Sequence, residues 1–246
     1  MIGGFNLTGF NKNMDELNYI NSYARKKNVD YNAELKSVIT DEQIDAEKLQ
    51  NDIFPIKNAD IFISHSHADK ELAVALKNWI IDKLSMTCFL DSEIWGSADD
   101  TLKEIDKFCW KPERNCYDYK ERNLTTSYVH VMLCNALMQA MDKCKFTFFI
   151  NTPNSITAES ALKEPKTHSP WLFYELSILK YIQKKSLQKH INFSRGNESL
   201  TESVNNLMNY TVDLENLPKL SFFDLENLEG SGVQNIYKKL ESYFKK

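Results

Sequence analysis

Three short apolar runs, separated by segments of helical periodicity, constrain the fold of this chain most strongly. The runs cover residues 59–64, 86–90 and 145–150, and such runs are typical of strands buried on both faces of a parallel sheet. Apolar residues recur at helical spacing between Asp69 and Leu84, so the first two runs enclose a helix and form a β-α-β unit. The alternation predicts an α/β fold in which helices cover both faces of an open, mostly parallel sheet.

The residues ahead of the first apolar run are expected to be helical. Sparse apolar positions from about residue 12 to residue 50 have spacings that suit two modest helices. We therefore predict a helical N-terminal extension over residues 1–57, followed by one domain over residues 58–246.

The segment after the second run carries turn signals and an insertion. Residues 91–100 contain a glycine and several acidic side chains, which predicts a loop. An insertion folded onto the body of the domain is expected at about 99–124, where a proline, asparagines and several aromatic residues are mixed. A helix capped by Thr125 or Thr126 should then run to about Lys143.

The C-terminal part of the chain is expected to complete the sheet and its helical cover. Ser169 and Pro170 are residue types that favour the cap and the first position of a helix, which should extend through Ile182. Weaker strand signals lie within 211–223, and residues 233–244 fit a closing amphipathic helix.

Composition limits the partners and the setting of the protein. The 42% hydrophobic and 26% charged residues are typical of a globular chain. A net charge of -4 and a pI near 5.8 lack the basic footprint of nucleic-acid binding. The 5 cysteines are an odd number without the close pairs of a zinc ribbon or disulfide framework. Because neither a secretory signal nor an apolar stretch of about 18 residues is present, we expect a cytoplasmic protein that does not bind membranes.

Polar segments follow the predicted strands, and ligands of open α/β sheets bind beyond the carboxyl ends of the strands. Asp60-Ile-Phe-Ile-Ser-His65 resembles the opening strand of Toll/interleukin-1 receptor (TIR) domains, and Phe89-Leu-Asp91 with the loop after it resembles their second strand and BB loop. The segment from Trp171 to Glu175 matches the Trp-x-x-x-Glu pattern of the helix in which NAD-cleaving members keep their catalytic glutamate.

The resemblance covers roughly residues 58–185, and it implies a flavodoxin-like TIR fold with a helical N-terminal extension and an insertion after the second strand. The chain departs from a minimal TIR domain in that insertion and at Ser66, where several members have arginine. The implied activity is that of an NAD+ glycohydrolase or ADP-ribosyl cyclase in bacterial antiphage defence, with NAD+ as substrate and neither a cofactor nor a metal. The implied catalytic residue is Glu175, and the implied substrate-binding residues are Ser64, His65, Ser66, Asp91, Trp95 and Trp171.

A single carboxylate suits this reaction. Nicotinamide leaves NAD+ as a neutral molecule, so its departure needs no general acid, unlike that of an ordinary sugar leaving group. We expect Glu175 to be ionised and to stabilise an oxocarbenium-like transition state. Trp171 lies one helical turn earlier and should share the face of Glu175. Water as acceptor gives ADP-ribose, whereas an acceptor within the same molecule gives a cyclic product.

Two other functions fit parts of the sequence. A non-enzymatic TIR adaptor would act by self-association, and an enzyme of this type would also be expected to assemble through TIR contacts and to signal to a separate effector. A zinc-dependent hydrolase would use His65, His67 and Asp69, which are spaced like ligands of a two-zinc site. The residue after Asp69 is Lys70, where that class has a further histidine. We therefore expect His67 and Asp69 to cap the following helix instead.

Overall fold

The computed structural model describes residues 1–10, 46–95, 98–157, 165–186 and 209–245. The strands are β1 (Gly3–Thr8), β2 (Ile61–Ser64), β3 (Cys88–Phe89), β4 (Trp110–Lys111), β5 (Cys116–Tyr117), β6 (Phe146–Ile150), β7 (Lys166–Thr167), β8 (Tyr210–Thr211) and β9 (Lys219–Ser221). The helices are α1 (Ala46–Ile53), α2 (Lys70–Trp79), α3 (Asp91–Ile94), α4 (Ala98–Asp106), α5 (Tyr119–Lys143), α6 (Pro170–Ser186), α7 (Phe222–Glu226) and α8 (Val233–Ser242).

A parallel sheet of 5 strands forms the centre of the molecule, in the order β3-β2-β6-β1-β9. Ile61 of β2 pairs with Cys88 of β3 on one side and with Phe146 of β6 on the other. All the residues of β2 and β6 are buried, as expected for strands covered on both faces. The predicted α/β fold with a mostly parallel sheet and flanking helices is confirmed, and it is compatible with a flavodoxin-like arrangement.

The sheet contains one strand that the sequence pattern did not predict. Strand β1 lies between β6 and β9, so residues near the N-terminus belong to the sheet rather than to a helical extension. Gly3 and Gly4 weaken its strand signal, and both lie where a larger residue would force a neighbouring side chain to move. A Cβ atom on Gly4 would lie 2.8 Å from a methyl group of Leu179, and one on Gly3 would lie 2.4 Å from the ring of Phe244.

Helix α1 agrees with the helical character predicted for residues 12–50, although most of that segment, residues 11–45, lies outside the described residues. The boundary predicted between residues 57 and 58 does not match the sheet, because β1 pairs with β6 along its length. The residues ahead of β2 therefore supply both a central strand and a covering helix.

Two hydrophobic clusters fill the space between the sheet and its helices. One joins alternate residues of the central strands, such as Phe5 and Phe148, to Trp79 of α2 and to Leu240 of α8. The other joins the opposite face of the sheet to α1, α5 and α6. Helices α5 and α6 therefore cover one face together, and Glu175 of α6 reaches Ser64, the last residue of β2.

The insertion is more regular than its sequence indicates. Residues 91–100, predicted to be a loop, include all of α3 and the start of α4, and β4 and β5 pair as an antiparallel hairpin. Helix α5 begins well before the predicted Thr125, because the side chain of Asp118 accepts hydrogen bonds from the backbone N–H groups of Lys120 and Glu121. Thr125 instead donates to Asp106 at the end of α4, at 2.7 Å.

The C-terminal elements agree with their predictions. The weak strand signals within 211–223 correspond to the end of β8, which pairs with β7, and to β9, which joins the main sheet. Helix α8 confirms the predicted closing amphipathic helix. None of the helices in the described part of the chain has the length and apolar character needed to cross a bilayer.

Candidate active site

The candidate site lies at the carboxyl edge of the sheet, beside β2. The chain leaves β2 to form β3 on one side of it, while β6 pairs on the other side, so the strand order reverses at β2. Ligands of open α/β sheets bind in the crevice at such a reversal. Ser64 is the last residue of β2, Asp91 is the first residue of α3, and Glu175 projects from α6.

Helix α6 is started by the cap that the sequence predicts. The side chain of Ser169 accepts a hydrogen bond from the backbone N–H of Leu172 at 3.3 Å, and Pro170 is the first helical residue. Glu175 follows in the second turn with only 4% of its surface exposed. The hydroxyl of Ser64 donates a hydrogen bond to Oε2 of Glu175. The two residues predicted from separate motifs are therefore in direct contact.

The environment of Glu175 favours its neutral form. Burial is the main cause that raises its pKa, the negative charge of Asp91 raises the pKa further, and the hydrogen bond from Ser64 lowers it. The result is a pKa of about 8. The raised pKa favours a protonated Glu175 in the free protein at neutral pH, whereas we expected an ionised carboxylate.

His65 lies next to the second carboxylate of the site. Its Nδ1 is 3.9 Å from Oδ1 of Asp91, and its Nε2 is 3.0 Å from the hydroxyl of Ser92. Helix α3, which carries Asp91 and Ser92, is held against α2 by an ion pair between Lys77 and Glu93. These contacts fix the start of α3 close to the end of β2. Ser92 was not among the predicted site residues, because its contact with His65 depends on how α3 packs beside β2.

The segment after His65 has a structural role. Ser66 caps a short 3-10 turn, because its hydroxyl accepts a hydrogen bond from the backbone N–H of Ala68 at 3.3 Å. The side chain of Asp69 does not cap α2, so that expectation was wrong. Its carboxylate instead accepts hydrogen bonds from Thr152 at 2.5 Å and Asn154 at 2.7 Å. Asp69 thereby ties the loop after β6 to the loop after β2.

The proposed ligands of a zinc site do not cluster. His67 is exposed, whereas Asp69 is buried and already satisfied by the loop after β6. In the described ranges no three His, Cys, Asp or Glu side chains are grouped so that they could hold a metal ion.

Trp95 lies in the hydrophobic core. Its ring packs edge-on against Phe54 and Phe89, with centroid distances of 5.4 Å in both pairs. Its N–H group donates to the backbone carbonyl of Pro55 at 2.9 Å. Since this is the only hydrogen-bonding group of an indole, Trp95 has none left for a ligand. Trp95 therefore supports the segment that leads into β2 and does not offer its N–H group to a ligand.

Trp171 is partly buried one helical turn before Glu175. Its ring meets the ring of His130 on α5 edge to face, with a centroid distance of 5.3 Å. Sequence reasoning did not assign a role to His130, because its proximity depends on the packing of α5 against α6. The contact holds the start of α6 against the long helix of the insertion.

Comparison with known proteins gives no family assignment. No family model, curated protein or solved structure matches the chain. Function has to be inferred from the arrangement of Glu175, Ser64 and Asp91 at the edge of the sheet.

Proposed function

We propose that this protein is a TIR-type enzyme that cleaves the bond between nicotinamide and ribose in NAD+, with Glu175 as the catalytic carboxyl group. One observation carries the proposal: a glutamate buried at the carboxyl edge of a parallel sheet accepts a hydrogen bond from the last residue of a central strand. Burial of a carboxyl group is costly, and such perturbed groups are concentrated at functional sites. The tryptophan one turn earlier and the order of the motifs support the TIR assignment.

The charge of the site suits a cationic substrate. Glu175 and Asp91 interact electrostatically, and their mutual repulsion disfavours two negative charges in the free protein. The pyridinium ring of NAD+ carries a positive charge that would relieve this repulsion. We therefore expect substrate binding to lower the pKa of Glu175 and to release its proton.

Cleavage then needs no further proton transfer to the leaving group. The bond between C1′ of the ribose and the ring nitrogen breaks, and its electron pair leaves with neutral nicotinamide. The ionised carboxylate of Glu175 stabilises the positive charge that develops on the ribose, an effect that is strong where water is excluded. Ser64 can donate to this carboxylate and orient it.

The acceptor that attacks C1′ determines the product. Water gives ADP-ribose and loses one proton, whereas a hydroxyl or an adenine nitrogen of the same molecule gives a cyclic product. We extend the proposal to self-association through TIR contacts, to a nucleotide signal that a separate effector senses, and to a role in antiphage defence.

The test is mass spectrometry of nucleotides in cells that express the protein. We compare the wild type with Glu175→Gln, which keeps the size of the side chain, and with Glu71→Gln, which removes an exposed carboxylate on α2. The proposal predicts depletion of NAD+ and accumulation of ADP-ribose or its cyclic form with the wild type and with Glu71→Gln. Equal depletion by Glu175→Gln would refute the assignment, and unchanged NAD+ in all strains would favour the adaptor.

A further inference from the structure

Helix α5 is apolar on two opposite faces. Its inner face buries Val129, Leu133, Ala136, Leu137, Ala140 and Met141 against the body of the protein. Its outer face exposes Leu124, Tyr128, Val131 and Met138, with 51%, 52%, 68% and 44% of their surfaces accessible. These four residues recur at intervals of four, three and seven positions, so they form one stripe along the helix.

This outer stripe has the spacing of a helix-pairing seam. Alternating steps of four and three residues are typical of the apolar positions of coiled coils. Asn135 occupies the one position at which the apolar spacing is interrupted. Asn135 also donates to Gln50 of α1 at 3.1 Å, so α1 borders the stripe. Contiguous exposed apolar surface of this kind marks interaction sites.

We propose that two copies of this chain pair through the outer stripe of α5, with the helices antiparallel and related by a two-fold axis at Val131. Residues equally far before and after Val131 then face each other. Leu124 of one copy packs against Met138 of the other, and each Lys120 lies across from Asp142. A two-fold interface requires a surface that complements itself, and this stripe does so in the spacing of its apolar residues and in its charge.

Charge favours the antiparallel direction over the parallel one. Asp142 is exposed at the C-terminal end of the stripe, with 76% of its side chain accessible, and its Oδ1 lies 4.0 Å from the N-terminal ammonium group of Met1. In a parallel pair Asp142 of one copy would lie next to Asp142 of the other copy, and two like charges side by side repel each other. In the antiparallel pair Asp142 instead faces the exposed Lys120, whose charge has the opposite sign.

The pairing surface adjoins the candidate active site. His130 precedes Val131 and contacts Trp171 at the start of α6. Pairing would therefore restrain α5, against which the start of α6 packs. The proposed pairing surface consists of residues of α5, so the pairing does not depend on the proposed chemistry of Glu175.

Cysteine crosslinking tests the pairing geometry directly. In a Cys116→Ser background, which removes an exposed thiol, Val131→Cys is placed on the two-fold axis and should form a disulfide-linked dimer under mild oxidation. In an antiparallel pair, residue 121 of one copy lies far from residue 121 of the other, so Glu121→Cys should not crosslink. Phe223→Cys, exposed on α7, is the control for random collision. Crosslinking of Glu121→Cys as readily as Val131→Cys, or of no variant above the control, would overturn the proposal.

Sedimentation equilibrium of the full chain measures the strength of pairing. Val131→Asp places a charge at the centre of the stripe and should raise the dimer dissociation constant by roughly 30-fold or more. Lys120→Glu alone and Asp142→Lys alone should each weaken the dimer, whereas the double variant should restore it. A monomeric wild type at all concentrations, or a double variant weaker than both single variants, would contradict the antiparallel pair.

Discussion

Replacing Glu175 with glutamine should change how the stability of the protein depends on pH. The pKa of Glu175 is about 8 in the folded protein, and its ordinary value is 4.5. A carboxyl group with a raised pKa in the folded state contributes its full stability below the ordinary value, and this contribution is lost as the pH rises through the folded value. The loss therefore falls between about pH 4.5 and pH 8.

The size of the effect follows from the same values. Between about pH 5 and pH 8 only the unfolded chain has lost the proton, and each pH unit costs about 1.4 kcal/mol. The total is about 4 kcal/mol, a large share of the roughly 5–15 kcal/mol that stabilises a typical domain. Glu175→Gln cannot ionise, so the free energy of unfolding of the variant should lack this loss.

Urea unfolding of the wild type and Glu175→Gln at pH 5, 7 and 9, followed by far-ultraviolet circular dichroism, measures the difference. The variant should gain about 4 kcal/mol relative to the wild type between pH 5 and pH 9. Titrating groups that do not interact with Glu175 affect both proteins alike and cancel in the comparison, whereas the repulsion between Asp91 and Glu175 is part of the measured difference. Glu71→Gln, which removes an exposed carboxylate, should follow the wild type. A difference between the wild type and Glu175→Gln that stays constant with pH would refute the argument.

Three further substitutions test the surroundings of the site. Asp91→Asn removes a negative charge that raises the pKa of Glu175, so the pH-dependent loss of stability should become smaller in the same unfolding assay. Ser64→Ala removes the hydrogen bond that lowers this pKa, so the loss should extend to higher pH. Trp95→Phe removes the N–H group that donates to the partly buried carbonyl of Pro55 and should lower the free energy of unfolding by about 1 kcal/mol, measured by urea unfolding at pH 7. An unchanged free energy of unfolding would contradict a stabilising role for this hydrogen bond.

The strands with continuous apolar sequence could be predicted, and the strand without it could not. β2 and β6 are covered on both faces, and their sequences are apolar nearly throughout. β1 contains two glycines and an asparagine, and its strand conformation depends on pairing with β6 and β9. This pairing joins positions that are distant in the sequence, so local periodicity does not indicate it.

The contact between two of the predicted site residues follows from the sequence pattern, whereas the electrostatics of the site do not. The motifs brought Ser64 and Glu175 together correctly, because both lie at predictable positions relative to the strands and α6. The raised pKa of Glu175 depends on complete burial and on the approach of Asp91 from another element. Trp95 follows a strand in the sequence, yet its ring turns into the core because Phe54, Phe89 and Pro55 surround it.

The most direct measurement of the central claim is nicotinamide release from NAD+ by purified protein, dilute and concentrated on beads, across pH 5 to 9. The account predicts that kcat/KM of the wild type rises as the pH approaches about 8, because kcat/KM reports ionisation of the free enzyme. Glu175→Gln should be slower by roughly 100-fold or more, whereas Glu71→Gln should match the wild type. Nicotinamide release by Glu175→Gln at the wild-type rate would contradict the account, as would a wild type that releases none under either condition.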